Sequence, residues 1–353
     1  MSRPLLLTPL LLFGCGGETA PEVAPAVAAM HRAEEDARSA EAAANAAPPP
    51  NARGYRGGDG IFPDGTSLAA ARANFRTMLR EDPEDTDPVP PPPEGRGQLV
   101  SYPGPLGEMA AYLVVPEGEG PRPAIVWVLG GFSNSIGPFL FEEAAADNDQ
   151  TAAALPAAGV VTMYPSRRGS HGNPGERELL FGEVDDVLAA ARWLAGRPEV
   201  DPDRVYIGGH STGGTVALLA AQSGGTFRGV VSLGPTYELF PPDQTEEIFG
   251  IAVPKEAVLR APGFWMENLS SPTWVIEGAN DGNAEELERL RQAAKSADAP
   301  ATFAVIPGED HFSIVRRVCG LFAAEIAEAA ETDSDIDLTE EEVVQAFATP
   351  AGG

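Results

Sequence analysis

Two textures divide the chain. From residue 98 onward, short apolar runs alternate with segments in which apolar residues recur every three or four positions. The runs at 124–129, 160–164, 205–207, 229–233, 273–276 and 302–306 contain no charged residue. A strand with one face in water alternates apolar and polar residues; a strand buried on both faces does not. These runs therefore predict the inner strands of a sheet covered on both sides. Between them lie helical patterns at 181–194, 215–221, 284–297 and 313–330; in the first, Val184, Val187, Leu188, Ala191 and Leu194 share one face. Two further strands, 99–102 and 109–115, joined by a turn at 103–107, open the region. Strand–helix alternation predicts an α/β fold, a mostly parallel central sheet with helices on both faces. Residues 96–330 suit one domain.

The chain before residue 96 reads differently. Residues 16–95 are rich in Ala, Glu and Pro, with proline runs at 48–50 and 90–93 and a single aromatic, Tyr55, between 16 and 60. Such a composition buries too little apolar surface to offset its ordering entropy, so 16–95 is expected to be a mostly disordered tether, stiffened at the prolines. Within it, Leu68, Ala71, Phe75, Met78 and Leu79 fall at helical spacing, which predicts a helix over 67–79 that docks on the main domain. Residues 331–353 form an acidic tail in which Thr339 can cap a short helix.

Residues 1–15 carry Arg3, an apolar core from Leu5 to Phe13, and then Gly14-Cys15. The core is too short to span a bilayer comfortably. The stretch resembles a bacterial lipoprotein signal, with Leu12-Phe13-Gly14-Cys15 at the lipobox. That resemblance implies export, lipidation of Cys15, and membrane contact through a lipid anchor in the cell envelope.

Charge and cysteine content narrow the function. The 353-residue chain has a formal net charge of −28, which argues against nucleic acid and against docking on anionic lipid heads. Cys15 and Cys319 are the two cysteines; they form no disulfide framework and no metal-ligand spacing. Cys319 falls on a helix face and is expected to be buried and inert.

The chemistry centres on Gly209-His-Ser-Thr-Gly213, a G-x-S-x-G pattern between a predicted strand and a predicted helix. That context turns the pattern into a nucleophile elbow, which lifts the serine hydroxyl above the C-terminal edge of the sheet. A serine hydroxyl needs a base. Of the four histidines, His31, His171, His210 and His311, only His311 follows Ser211, in a loop after the last strand. An acid must lie between them to hold the imidazole tautomer. Asp281 follows the 273–276 strand and is the choice; Glu277, still close to the strand, is the reserve. The oxyanion of a tetrahedral intermediate needs N–H donors. These are expected from Thr212 at the helix start and from the loop after the first buried strand, at Gly131 and Phe132. His210 is expected to point away from the nucleophile. Arg167 and Arg168 are expected to be paired structurally, and Asp185 and Asp186 to favour the helix start. Tyr237, Phe240, Phe249, Phe264 and Trp265 are either a small cap over the pocket or ordinary packing.

Over about residues 98–330 the sequence resembles the α/β-hydrolase superfamily, and most closely the catalytic domain of the prolyl oligopeptidase and acylaminoacyl peptidase group. The resemblance rests on the elbow, on Arg168-Gly-Ser170, on Gly182-Glu-Val-Asp-Asp-Val187, on Gly278-Ala-Asn-Asp281, and on Gly308 to His311. It implies the α/β-hydrolase fold, a Ser211–Asp281–His311 triad, and hydrolysis of a small ester or short peptide through an acyl-enzyme, with no metal or organic cofactor. Two departures stand out. The preceding segment is too short and too polar for the β-propeller of those peptidases. Leu129 occupies the position of a tyrosine that lends its hydroxyl to the oxyanion hole in prolyl oligopeptidase. The rival reading is a catalytically silent lipoprotein that keeps the fold as a binding module.

Overall fold

The structure is a computed structural model, and it describes residues 61–239 and 254–348. Its centre is an eight-stranded sheet: β1 (Gln98–Gly104), β2 (Gly107–Val114), β3 (Arg122–Val128), β4 (Val161–Pro165), β5 (Val200–His210), β6 (Val230–Leu233), β7 (Thr273–Asn280) and β8 (Ala301–Asp310). The spatial order is β1-β2-β4-β3-β5-β6-β7-β8. β1 and β2 pair antiparallel, as does β2 with β4. Every pairing from β4 to β8 is parallel. The sheet is therefore the mostly parallel α/β-hydrolase sheet that the charge-free runs predict, and each of those runs lies in or overlaps one of its strands.

The helices are α1 (Leu68–Ala73), α2 (Ala154–Ala157), α3 (Gly182–Ala195), α4 (Thr212–Gln222), α5 (Pro254–Val258), α6 (Ala284–Ala297), α7 (Ile314–Thr332) and α8 (Glu340–Ala348). Successive β3 side chains serve opposite faces. Val126 and Val128 join the core formed with α3, α4 and α6, while Ile125 and Trp127 join the core formed with α2, α7 and α8. Every residue of α4 is buried, which fits a helix of mostly small and apolar residues in the middle of the domain. Cys319 is buried on α7, and burial pushes its thiol well above the usual range, so it is an inert core residue.

The expectation of a loose tether fails for residues 61–95. α1 is shorter than the predicted 67–79 helix, but it docks as expected: Leu68 is fully buried and its N–H donates to Asn268 Oδ1 at 2.6 Å. Beyond it the chain stays on the domain in irregular conformation. Leu79 and Val89 are buried, and Tyr112 Oη donates to the Pro90 carbonyl at 2.6 Å. Thr77 Oγ1 and the Met78 N–H both donate to Glu256, whose carboxylate pairs with Arg260 at 2.7 Å. Glu256 and Arg260 are completely buried, and each needs partners that the 61–95 segment supplies. The acidic tail also packs. Thr339 Oγ1 accepts from the Glu342 N–H while the Glu342 carboxylate accepts from the Thr339 N–H, a capping box that starts α8. Val343 of that helix is fully buried.

Candidate active site

The candidate residues lie near the C-terminal end of β7 or just beyond the C-terminal ends of β3, β5 and β8. β5 ends at His210, and Ser211 turns the chain into α4 with φ 57° and ψ −124°. That conformation is rare for a residue with a Cβ and costs on the order of 1–3 kcal/mol, so the surroundings must impose it. They do so by close approach. A Cβ on Gly209 would lie 2.6 Å from the Gly213 and Val128 carbonyl oxygens, and one on Gly213 would run into the Val128 carbonyl. Strand β3, the elbow and the first turn of α4 are thus pressed together across two missing side chains. The Ser211 N–H donates to the Leu233 carbonyl at 2.7 Å, which fixes the elbow to the end of β6.

His311 follows β8 directly. Its Nδ1 lies 2.8 Å from Glu277 Oε2. A carboxylate only accepts, so Nδ1 carries the proton and Nε2 is left as the basic nitrogen. Glu277 is completely buried, and its carboxylate also accepts from the Gly278 N–H at 2.7 Å and the Asn283 N–H at 2.9 Å. Gly234, at the end of β6, lies beneath this pair with φ 56°; a Cβ there would be 2.5 Å from the imidazole and 2.8 Å from Glu277 Oε2. The loop carrying His311 is itself braced. The Phe312 and Ser313 N–H groups donate to Asp310 Oδ1 at 2.9 Å, and Ser313 Oγ accepts from the Asp310 N–H at 2.9 Å. Burial works against charge on Asp310, but these bonds outweigh it and hold its carboxyl below the usual range.

The carboxylate on His311 is Glu277, and the choice of Asp281 is corrected. β7 continues through Asn280, with a register irregularity after Gly278, so Asp281 is carried beyond the pair and stands exposed with φ 44°. The available signal was a charged residue directly ending an apolar run, in Thr273-Trp-Val-Ile-Glu277. In a strand with both faces covered, a carboxylate is costly unless something pairs with it.

His210 is buried and braces the loop that carries His311: its ring centroid lies 4.5 Å from that of His311, and its Nε2 lies 2.7 Å from the His311 carbonyl. Its Nδ1 is 3.0 Å from Gln150 Oε1. Burial, with a smaller contribution from His311, pushes its pKa well below the usual imidazole range. Burial favours the neutral ring, which has a single N–H; the shorter contact, to the His311 carbonyl, takes it when the Gln150 amide is turned to present its NH2 to Nδ1.

The loop after β3 reaches the same place. Thr212 Oγ1 donates to the Gly131 carbonyl at 2.6 Å. In a trans peptide the C=O and the next N–H point in opposite directions, so this bond turns the Phe132 N–H away from Thr212's side chain. The N–H of Thr212, as the first helical residue, has no acceptor within α4. Arg167 and Arg168 are structural, as expected: Arg168 forms a bidentate pair with the buried Asp186, and Arg167 Nη2 donates to the Ser133 carbonyl at 2.6 Å. Asp186 is thus an ion-pair partner rather than a simple helix-start charge, and Asp185 pairs with Arg72 at 3.1 Å. Tyr237, Phe264 and Trp265 are buried in the core, so packing rather than a cap explains them. Phe240, Phe249 and Cys15 lie outside the described residues. Among the described residues, no cluster of His, Cys, Asp and Glu has metal-binding geometry.

Comparison with known proteins bears on the fold and the family. Residues 147–325 match the prolyl oligopeptidase family, Peptidase_S9. The chain is 27% identical to the uncharacterised peptidase YtmA of Bacillus subtilis over 181 residues, covering 45% of this chain and 70% of that one. It is 28% identical to an uncharacterised protein of Mycobacterium tuberculosis over 176 residues, covering 46% of this chain but 57% of that one. Among solved structures, the Pyrococcus horikoshii acylaminoacyl peptidase superposes with a TM-score of 0.54 at 18% identity, over 70% of this chain and 44% of the other. An esterase of Pyrobaculum calidifontis superposes with a TM-score of 0.52 at 19% identity, over 69% and 87%. At these identities the structural likeness speaks to the fold, and the fold is the one derived above. The family match spans 147–325, which contains Ser211, Glu277 and His311, and the chain belongs to the prolyl oligopeptidase family, a serine hydrolase of the esterase or peptidase type.

Proposed function

We propose that this protein hydrolyses small esters or short peptides through an acyl-enzyme formed on Ser211. The observation that carries the reading is a strained serine whose neighbours hold a buried carboxylate–imidazole pair. His311 Nε2 takes the Ser211 proton as the hydroxyl attacks the acyl carbonyl, then returns it to the leaving group. Glu277 orients the ring through Nδ1–H and stabilises the imidazolium that forms. The N–H groups of Thr212 and Phe132 receive the oxyanion. Gly131 contributes its carbonyl to Thr212, and through it the orientation of the Phe132 N–H. Water then repeats the sequence and releases the acid.

Strain at Ser211 and a charge at Glu277 both lower stability, and a scaffold has no use for either. That favours the enzyme over a silent binding module. Small ester or peptide substrates are supported by membership of the prolyl oligopeptidase family and by likeness to proteins described as a peptidase and an esterase.

The test is a fluorophosphonate probe with a panel of p-nitrophenyl esters and aminoacyl anilides. Wild-type protein is expected to label on Ser211 and to turn over members of the panel. Ser211→Ala is expected to lose labelling and to drop turnover by about 10⁶-fold, on the precedent of subtilisin's serine. Labelling that survives the substitution would place the nucleophile elsewhere.

A further inference from the structure

We propose that Glu84, in the segment 61–95, is a positioning residue for the oxyanion hole; this rests on the acyl-transfer reading above. The loop after β3 carries the Phe132 N–H, and its next three residues all bond to one carboxylate oxygen. Glu84 Oε2 accepts from Ser133 Oγ at 3.1 Å, from the Asn134 N–H at 3.0 Å and from Ser135 Oγ at 3.0 Å. Its other oxygen pairs with Arg177 Nη1 at 3.0 Å.

Glu84 is itself held firmly. Its N–H donates to the Gly169 carbonyl at 2.7 Å. Three residues earlier, Glu81 and Arg177 exchange both backbone hydrogen bonds, at 2.9 and 3.1 Å. One residue later, Asp85 accepts from the His171 N–H at 2.8 Å. The carboxylate is thus a fixed point, anchored on the segment after β4, against which the loop is set.

The loop needs such a point. Gly130 and Gly131 give it little intrinsic stiffness, Gly131 has φ 78°, and the Phe132 side chain is 38% exposed, so packing of that ring does not hold it. Beside the Arg167 bond to the Ser133 carbonyl and the Asn134 bonds to the Arg168 carbonyl and Glu183, the loop is clamped on each side of Phe132. Thr212 Oγ1 holds the Gly131 carbonyl, and Glu84 holds residues 133–135. A donor aimed at an oxyanion works only when it is in place before the charge develops. Releasing one clamp therefore weakens binding of the tetrahedral state more than binding of the substrate.

The experiment compares Glu84→Ala, Glu84→Gln and the double variant Ser133→Ala/Ser135→Ala with wild type in the full-length chain. It measures kcat and KM on an ester from the panel, inhibition by a boronic acid that forms a tetrahedral adduct, and the melting temperature. Glu84→Ala is expected to lower kcat about tenfold or more, with KM within about threefold and boronate affinity falling in step with kcat, since loss of a whole oxyanion donor costs about 10²–10³. Glu84→Gln keeps an acceptor for the Asn134 N–H and is expected to retain more activity than alanine. The double-serine variant leaves the Glu84–Arg177 pair intact and is expected to fall between them. If Glu84→Ala does not fold, the double-serine variant decides by the same criteria. Unchanged kcat and boronate affinity in folded variants would overturn the proposal, as would a loss confined to KM. Ser211→Ala in the same assay separates the two readings. If it remains active, the acyl-transfer reading fails; if it is inactive while the Glu84 variants keep wild-type kcat, only the role of Glu84 fails.

Discussion

The elbow at Ser211 and the segment 61–95 both grip the loop after β3, and they do it by different physics. The elbow is local. Its conformation follows from five consecutive residues and from the space freed by Gly209 and Gly213, and its Thr212 reaches the loop through one hydroxyl. The grip of segment 61–95 is long-range. Glu84 reaches residues 49 to 51 positions away, and Thr77 reaches Glu256, 179 positions away. Local strain persists only where more distant contacts over-determine it. The segment that looks dispensable thus supports the same loop that Thr212 of the elbow holds.

The sharpest way to break this comparison lies within the site itself, at the acid. Glu277→Gln is expected to keep the fold and lower kcat by about 10⁴-fold, because an amide at this position offers a donor or a weak acceptor and lets the imidazole take the wrong tautomer. Asp281→Asn, on an exposed turn, is expected to stay within about threefold of wild type, as surface changes away from special features usually do. The reverse pattern would mean that His311 leaves Glu277 for Asp281 during turnover. The choice of carboxylate would then be decided by loop movement and not by the buried pair.

What the sequence allowed to be read follows the same division. Apolar runs, glycines and the order of Ser211 and His311 are local signals, and the sheet, α4 and the elbow stand where they predict. The acid was misplaced because Glu277 and Asp281 differ only by how far β7 continues, and strand ends are set by pairing with β8. The contact of His210 with His311 was not legible, because sequence alternation does not reveal that the loop carrying His311 folds back over the β5 end. Glu84 carried no signal at all. Its neighbours, Glu81, Asp82 and Asp85, give the composition of a solvated stretch, and its partners become visible only when 133–135 and 177 are brought beside it. Proline-rich, acidic composition marks a segment with too little apolar surface for a core of its own. It does not say whether a neighbouring domain supplies the missing core.

Truncation tests that point directly. A chain beginning at residue 61 is expected to be folded and active. A chain beginning at residue 96 loses the buried side chains of Leu68, Leu79 and Val89, each worth about 1.5–3 kcal/mol. It also leaves Glu256 without the Thr77 hydroxyl and the Met78 N–H. Its melting temperature is expected to fall by at least about 10 °C relative to the longer form, with activity lost in proportion to unfolding. Equal melting and equal kcat for the two forms would reduce the segment to a passive covering and would remove the distant half of the comparison.

The smallest expected effect concerns His210, where the two kinds of grip meet. It belongs to the elbow by sequence and to the His311 loop by hydrogen bonding, through the 2.7 Å bond to the His311 carbonyl. Its pKa in the fold lies well below the usual imidazole value, first because of burial and then because of His311. The unfolded chain takes up this proton near pH 6.5, and the folded chain resists it. The unfolded state therefore binds more protons below about pH 6.5, so stability from the neutral ring is complete above that pH and declines as the pH falls below it. Asp310 acts in a separate and lower window. Its depressed pKa gives stability that is present above about pH 4 and is lost as the pH falls further. His210→Gln preserves an N–H donor for the His311 carbonyl but cannot take up a proton. Melting curves at pH 7.5 and pH 5 are expected to show a smaller acid loss in the variant than in wild type, by a few degrees at most. The decline below pH 4 is expected to be unchanged. If wild type and variant lose the same stability between pH 7.5 and pH 5, His210 is not the source of the acid sensitivity in that range and serves the loop by its hydrogen bond alone.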